Sequence, residues 1–294
     1  MTLVERAIEK LRRNAAEQRP KAESPAVGSV VGERERPEAP VTPANPALRV
    51  AIDREALRSA GYMPENAVDR QFADDYRQIK RPLISAAIAS GTAAAGSTRL
   101  IMMASALPGD GKTFTSINLA LSMARERDIS VVLVDADIPK PHVSRIFGVD
   151  REPGLVEALV DPALDVETLV LPTDVNGLSI LPAGKAHEGA TELLASARMV
   201  AVVTRLIAQP RRIVLFDSPP LLASSESRAL AAIAGRVVLV VRSGNTPHRA
   251  VLDALDQLGP DKSVALVLNQ GRSGLSGGYY GYGDGKYGSE ESSA

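Results

Sequence analysis

From residue 99 onward, apolar residues fall into short unbroken runs separated by amphipathic stretches. Arg99–Ala104, Ser130–Val134, Leu178–Leu181, Ile213–Phe216, Val237–Val241 and Val264–Leu268 read as strands. Their Val/Ile/Leu runs are continuous where a half-exposed strand would alternate, which predicts a sheet covered on both faces. Between them a helix is expected from a glycine turn to about Arg127, then over Thr191–Ala208, Ser225–Ala234 and Pro247–Leu258. Strand and helix in alternation predict an α/β fold: a mostly parallel, doubly wound sheet with helices on both faces.

The chain before this region has a different character. Thr2 and Glu5 have capping-box spacing, and Leu3, Val4, Ala7, Ile8 and Leu11 share one helical face, so residues 2–16 read as a short amphipathic helix. Pro20, Pro25, Pro37, Pro40, Pro43 and Pro46 then lie among Glu, Arg, Ala and Gly, the composition of an extended linker. A further helix is expected from about Val68 to Ile88, kinked or split by Pro82. The end of the chain is rich in Gly and Ser and holds Tyr279, Tyr280, Tyr282 and Tyr287, four of its six tyrosines. The expected organisation is therefore an N-terminal helix over 1–17, a linker over 18–67, a nucleotide-binding domain over 68–271 and a Gly/Tyr tail over 272–294.

Composition narrows the chemistry. With 45% hydrophobic but only 3% aromatic residues and no Trp, the core is built from Val, Ile, Leu and Ala. A net charge of -1 gives no long-range attraction to nucleic acid, and none is expected as a partner. The absence of Cys excludes disulfides, thiolate metal sites and thiol nucleophiles. No apolar run approaches the length of a bilayer span, and Glu5, Arg6, Glu9 and Lys10 interrupt any secretory apolar stretch. A cytoplasmic protein is expected, held at the membrane only through a partner.

The strongest motif is Ala106-Leu-Pro108-Gly109-Asp110-Gly111-Lys112-Thr113-Phe114, which follows a strand and opens a helix, the context of a P-loop. Gly109 and Gly111 let backbone N–H groups turn toward phosphate oxygens, beside the positive end of a helix. Lys112 offers its charge to the β- and γ-phosphates of ATP, and the Thr113 hydroxyl can ligate Mg²⁺. Ala106 stands where the usual pattern begins with Gly. Two more strands end in carboxylates, Asp135-Ala-Asp137 and Asp217-Ser-Pro-Pro. Carboxyl ends of parallel strands line the ligand crevice, so these aspartates are expected to converge on the phosphate-bound metal.

On these residues the chain resembles the bacterial tyrosine kinases linked to capsule and exopolysaccharide export, above all the separate autokinases that accompany exosortase-type systems. The likeness rests on Leu3–Leu11, Arg77–Leu83, Ser105–Thr115, Ala190–Ala195 and the Gly/Tyr tail. It implies a P-loop NTPase fold of the MinD-like kind, with ATP as substrate and Mg²⁺ as cofactor. It further implies that Asp135 orients the tyrosine hydroxyl as base, while Asp137 and Asp217 position Mg²⁺ with Thr113, the roles of Asp135 and Asp137 being open to exchange. Asn269 resembles a position that contacts adenine. Asp74, Arg77 and Lys80 resemble an oligomerisation motif of one acidic and two basic residues, implying a ring-like homo-oligomer before phosphorylation. Tyr279, Tyr280, Tyr282 and Tyr287 are implied as phosphoacceptors, and the implied partner is a membrane-embedded regulator of polysaccharide chain length. Pro139 stands where the family usually carries an Arg.

The residues alone also admit two other readings: an ATPase switch of the MinD/ParA kind, and a scaffold that binds nucleotide without kinase activity. The first is weakened by Leu107, which stands where that family has an additional lysine.

Overall fold

The computed structural model describes residues 49–63, 69–89 and 98–271; the amphipathic helix at 2–16, the Pro-rich stretch before residue 49 and the Tyr tail lie outside the described residues. The six expected strands and one unforeseen short strand, β3, gather into one seven-stranded sheet, in the order β3 (Leu171–Pro172), β4 (Leu178–Leu181), β2 (Ser130–Asp135), β5 (Arg212–Asp217), β1 (Leu100–Ser105), β6 (Arg236–Arg242) and β7 (Val264–Asn269). Every pair is parallel except β3–β4. All six residues of β1 are buried, as its continuous apolar run requires.

Alternate residues of each strand feed two cores. On one face Met102, Ala104, Val132, Val134, Phe216 and Leu239 pack together. Contributing to this layer are α5 (Leu155–Val160), α6 (Ala190–Leu194), α7 (Ala197–Ile207), α8 (Ser225–Ile233) and α9 (His248–Leu258). On the other face Ile101, Met103, Val131, Leu133, Leu215 and Val238 meet α2 (Asp69–Ala89) and α3 (Lys112–Met123), with α4 (His142–Ile146) at the margin. Edge strand β7 leaves Leu266 and Leu268 exposed.

Four expectations about elements are corrected. The helix expected over Thr191–Ala208 is two, because the Ser196 side chain accepts from Met199 N and starts α7 afresh. The P-loop helix stops at Met123, short of Arg127; the Lys80 ammonium donates to Ser122 O at 2.8 Å and satisfies a carbonyl of its last turn. Of the kink or split expected at Pro82, the split does not occur: α2 runs through it, with Tyr76, Leu83 and Ala87 buried against the second core to offset the lost backbone bond.

The fourth correction concerns residues 49–63, placed within the 18–67 linker. Val50 N donates to Pro172 O at 2.9 Å and Ile52 N to Asp174 Oδ1 at 3.0 Å, adding this segment beside β3. Asp53 then caps α1 (Arg54–Ser59), accepting from Glu55 N and Ala56 N. Val50, Ile52 and Leu57 are buried in the second core. The stretch contains no proline and three well-spaced apolar residues, which is why it packs where the preceding Pro-rich sequence would not.

Candidate nucleotide site

The loop between β1 and α3 turns through two left-handed glycines, Gly109 (φ 86°) and Gly111 (φ 91°). At Gly111 the restriction is also steric, since a Cβ there would lie 1.9 Å from Asn269 Nδ2. That close approach holds the loop: Asn269 Nδ2 donates to Asp110 O at 3.0 Å. The Asp110 carboxylate braces it from the other side, accepting from Leu107 N at 3.0 Å and from Thr246 Oγ1 at 2.7 Å. Asp110 and Asn269 are thus loop-bracing residues; their side chains serve the backbone that would face phosphate. Asn269, whose likeness suggested adenine contact, does not line the cleft described below.

Lys112 begins α3, and its ammonium donates to Asp217 Oδ1 at 2.8 Å in a pair that is almost wholly buried. Thr113 Oγ1 donates to Asp217 Oδ2 and Ser116 Oγ to Oδ1, both at 2.8 Å. The end of β5 is therefore tied to the first turn of α3 by three side chains. In register with Asp217 at the end of the neighbouring β2 stands Asp135. Its Oδ2 accepts from both Ser144 N and Ser144 Oγ at 2.7 Å, and Asp137 N approaches its Oδ1 at 3.4 Å. Asp137 sits in the turn after β2, where its Oδ1 accepts from Lys140 N at 3.1 Å.

Three carboxylates and one ammonium in so little water perturb one another. Burial, reinforced by the neighbouring Asp217, pushes the Asp135 carboxyl up to about 7 against the pull of the Ser144 hydrogen bonds. Asp137 is raised as well, chiefly by burial; Lys112 pulls it down and Asp217 pushes it up. Coupled carboxyls of this kind share their protons as a group.

Beside this cluster lies a cleft of about 530 Å³, within the usual size of small-molecule sites. Pro108, Gly109, Asp110, Gly111, Lys112, Thr113 and Phe114 line it as one continuous stretch, together with Asp137. Asp135 and Asp217 stand one layer behind, Asp217 touching the cleft through its hold on Lys112 and Thr113. The rim adds Tyr62, Lys140, His142 and Glu226, none of which sequence reasoning singled out. Ser116 and Ser144, the serines that hold Asp217 and Asp135, were also missed. Ser116 follows the P-loop by one helical turn from Lys112, a spacing that could have flagged it; the other positions leave no local signal.

The arrangement fits Mg²⁺. Among the described residues no cluster of three or more His, Cys, Asp or Glu forms a closed metal cage. Magnesium at nucleotide sites instead takes one or two carboxylates together with phosphate oxygens, and the hard oxygen donors of Thr113, Asp137 and Asp217 match that demand.

The residues grouped as an oligomerisation motif part company. Asp74 and Arg77 pair with each other along the half-exposed face of α2. Lys80 is buried and occupied, bonding Glu126 Oε1 at 2.7 Å as well as Ser122 O. It ties α2 to the segment ending α3 within one chain, whereas the likeness grouped it with Asp74 and Arg77 in an oligomerisation motif. Tyr279, Tyr280, Tyr282 and Tyr287 lie outside the described residues.

A family model described as an AAA domain matches residues 98–255. The putative tyrosine-protein kinase EpsB of Ralstonia nicotianae is 36% identical over 159 residues, which are 54% of this chain and 21% of that protein. The tyrosine-protein kinase YwqD of Bacillus subtilis is 32% identical over 183 residues, 62% of this chain and 76% of YwqD. The chain thus spans about a fifth of the length of EpsB and most of YwqD. Among solved structures, the VpsO kinase domain is similar with a TM-score of 0.57 at 27% identity, covering 70% of this chain and all of that one.

Proposed function

The chain belongs to the bacterial tyrosine-protein kinase family, with its AAA domain over residues 98–255, and on that premise we propose that it is an ATP-dependent protein-tyrosine autokinase acting on its own C-terminal tyrosines. The observation that carries this reading is the cleft itself: a P-loop wall bearing Lys112 and Thr113, with Asp137 in the same lining and Asp217 holding both P-loop side chains.

In this reading the backbone N–H groups of Gly109–Lys112 and the Lys112 ammonium hold the ATP phosphates. Thr113, Asp137 and Asp217 would hold Mg²⁺, which would supply neutralisation of charge on the phosphate oxygens. The phenol oxygen of a tail tyrosine attacks the γ-phosphorus, the bond from that phosphorus to the bridging oxygen breaks, and ADP leaves. The phenol proton passes to the Asp135/Asp137 pair, in which burial raises the Asp135 carboxyl to about 7 and moves Asp137 in the same direction. Asp137 is the member that the cleft exposes. Asp135 engages both Ser144 donors and shapes the turn that presents Asp137.

Tyr279, Tyr280, Tyr282 and Tyr287, spaced by glycine, are the proposed acceptors. Each phosphate would add about -1.5 to -2 charges to a tail already holding Asp284, Glu290 and Glu291. We place the protein in the cytoplasm, in a homo-oligomer that loosens on phosphorylation, working with a membrane-embedded regulator of exopolysaccharide export of the exosortase type. No helix among the described residues is long and apolar enough to cross a membrane.

The deciding experiment is the intact mass of the full chain after incubation with ATP–Mg²⁺, followed by mapping of the modified sites. Mass increments of phosphate on the tail tyrosines, absent in Lys112→Met, are expected. Phosphate release with no gain in protein mass would replace the kinase by an ATPase switch. Light scattering of the same samples tests the assembly: an unchanged particle mass with a fully phosphorylated tail rejects the loosening step.

A further inference from the structure

A second cavity, of about 370 Å³, opens between α1, α2 and the C-terminal half of α3. Four arginines line it: Arg54 and Arg58 from α1, Arg77 from α2 and Arg125 just past α3. No Asp or Glu does. Its floor is apolar and aromatic, with Met63, Phe72, Tyr76 and Leu121. The fold assembles this charge from three separate segments, so it is not simply the solvated face of one helix.

Local pairing only partly neutralises it. Arg58 pairs with Glu55 and Arg77 with Asp74, both in exposed i,i+3 contacts of the kind that hold little energy. Lys80 is engaged by Glu126 and Ser122 and adds nothing free. Asp75, on the same helix, accepts from Gln71 and lies outside the lining. Arg54 and Arg125 have no carboxylate partner among the described residues. A planar guanidinium suits phosphate in bidentate fashion and stacks on aromatic rings, which ammonium groups do not match. The ligand this cavity fits therefore has a ring for the floor and a dianion for the rim.

We propose that this cavity binds phosphotyrosine, and that its occupant is a phosphorylated tyrosine of the chain's own 272–294 segment. The proposal rests on the autokinase reading for the source of the phosphate, though not for the chemistry of the cavity. That segment supplies four tyrosines among glycines, with Asp284, Glu290 and Glu291 complementing the arginines. Length permits it. Tyr287 follows Gly271 by 16 residues, and fully extended these span at most about 53–58 Å. A compact domain of this size has a radius of gyration of about 16 Å. The tyrosine can come from the same chain or a neighbouring one. A concave site with an aromatic floor favours a side chain over a lipid surface, which would meet a convex or flat basic face.

The cavity is joined to the nucleotide cleft by direct contacts. Phe72 on its floor packs edge-on against Phe114 of the cleft wall, with ring centroids 6.1 Å apart. Asn118, also in the lining, donates to Tyr62 O and Phe114 O at 2.8 Å, and both of those residues line the cleft. A bound phosphotyrosine would compete with Asp74 for Arg77 on the α2 face while pressing on the wall that receives ATP. The product of the reaction would thereby report back to the site that made it.

The test uses the full chain with Tyr279, Tyr280, Tyr282 and Tyr287 replaced by Phe, titrated with a synthetic 272–294 peptide phosphorylated at Tyr287 and followed by fluorescence anisotropy. The phosphopeptide is expected to bind at least about tenfold more tightly than its unphosphorylated twin, the difference one charge-assisted contact to arginine supplies. Arg54→Ala with Arg125→Ala should remove that preference while leaving binding of a fluorescent ATP analogue unchanged. Arg58→Ala serves as a second variant should the pair fold poorly. Equal affinity for the two peptides, or a preference untouched by the arginine variants, overturns the proposal. So does binding to vesicles of equal phosphatidylcholine and phosphatidylserine that depends on these arginines when the peptide preference does not. Because the phosphate is synthetic, a failure of kinase activity leaves this result standing, and a failure here leaves autophosphorylation standing.

Discussion

The buried cluster at the ends of β2 and β5 makes a prediction about order as well as size. Asp135, Asp137 and Asp217 lie together, and Lys112 is the ammonium buried among them, paired with Asp217 and drawing on Asp137. Lys112→Met removes the cation paired with Asp217 and leaves Asp217 with the hydroxyls of Thr113 and Ser116, beside carboxyls already raised by its presence. Breaking a buried pair in this way costs about 3–5 kcal/mol. Asp217→Asn also breaks the pair but relieves repulsion on both Asp135 and Asp137. A charge-assisted hydrogen bond contributes about 1.5–3 kcal/mol, and the relief offsets part of that, so a cost near 2 kcal/mol is expected. Ordinarily the loss of a wholly buried residue would rank with the loss of its partner; here the lysine variant should be the weaker protein by about 2 kcal/mol. The double variant should cost less than the two singles added, since neighbours sharing one interaction are not additive. Urea unfolding of all four proteins at neutral pH, free of metal and nucleotide, measures each value. Saturating ATP–Mg²⁺ should then stabilise the parent by about 2.7 kcal/mol at a hundredfold excess over Kd, and Lys112→Met by far less. An Asp217→Asn cost equal to or above that of Lys112→Met would refute the claim that these carboxylates repel one another around the Lys112 ammonium.

Three further outcomes follow from individual contacts. Folding raises the Asp135 carboxyl from 3.8 to about 7, so the folded chain holds an additional proton across that window. Stability is greatest below it and falls as pH rises through it, by at most about 4 kcal/mol; Asp135→Asn should flatten the fall in metal-free melting curves, and an unaltered slope counts against the assignment. Gly111→Ala forces a left-handed alanine whose Cβ meets Asn269 Nδ2, and should cost about 2 kcal/mol or more in urea unfolding; adding Asn269→Ala should recover the steric part only, and full recovery would show that the backbone conformation carries no strain. Lys80→Ala should cost about 2 kcal/mol by orphaning Ser122 O and Glu126, against less than about 1 kcal/mol for Arg77→Ala on its exposed pair; the reverse ranking in thermal unfolding would return Lys80 to an interface role.

Much of the fold was legible because the signals were local. Each expected strand is found within a residue or two, since a continuous Val/Ile/Leu run buried on both faces leaves the backbone few alternatives. What escaped depends on partners far along the chain. Residues 49–63 gain their order from Pro172 and Asp174, more than a hundred positions away. The break between α6 and α7 was readable in principle from Ser196, a serine that caps a helix as easily as it sits inside one. At Pro82 a strong local rule allowed a split, and burial of Tyr76, Leu83 and Ala87 keeps the helix continuous instead.

For the site, sequence could name the phosphate loop and the three aspartates because glycine geometry and strand ends are short-range features. It could not rank the aspartates, because rank depends on which neighbour each carboxylate has found. Asp135 and Asp137 are two residues apart at the end of the same strand, yet one is consumed by Ser144, nine positions on, while the other lines the cleft together with Lys112. The same logic reassigns Asn269 and Asp110. Asp110 lies in the phosphate loop and Asn269 at the end of β7, and both hold the loop backbone from behind, Asn269 through Asp110 O and Asp110 through Thr246. A site of this kind divides labour between residues that would touch phosphate and residues that fix the loop. Only the second class depends on strands β6 and β7 being in register. A substitution at Thr246 should therefore disturb nucleotide binding as a loop defect, weakening affinity and stability together, whereas Thr113→Val should weaken Mg²⁺-dependent binding with the larger share of stability intact.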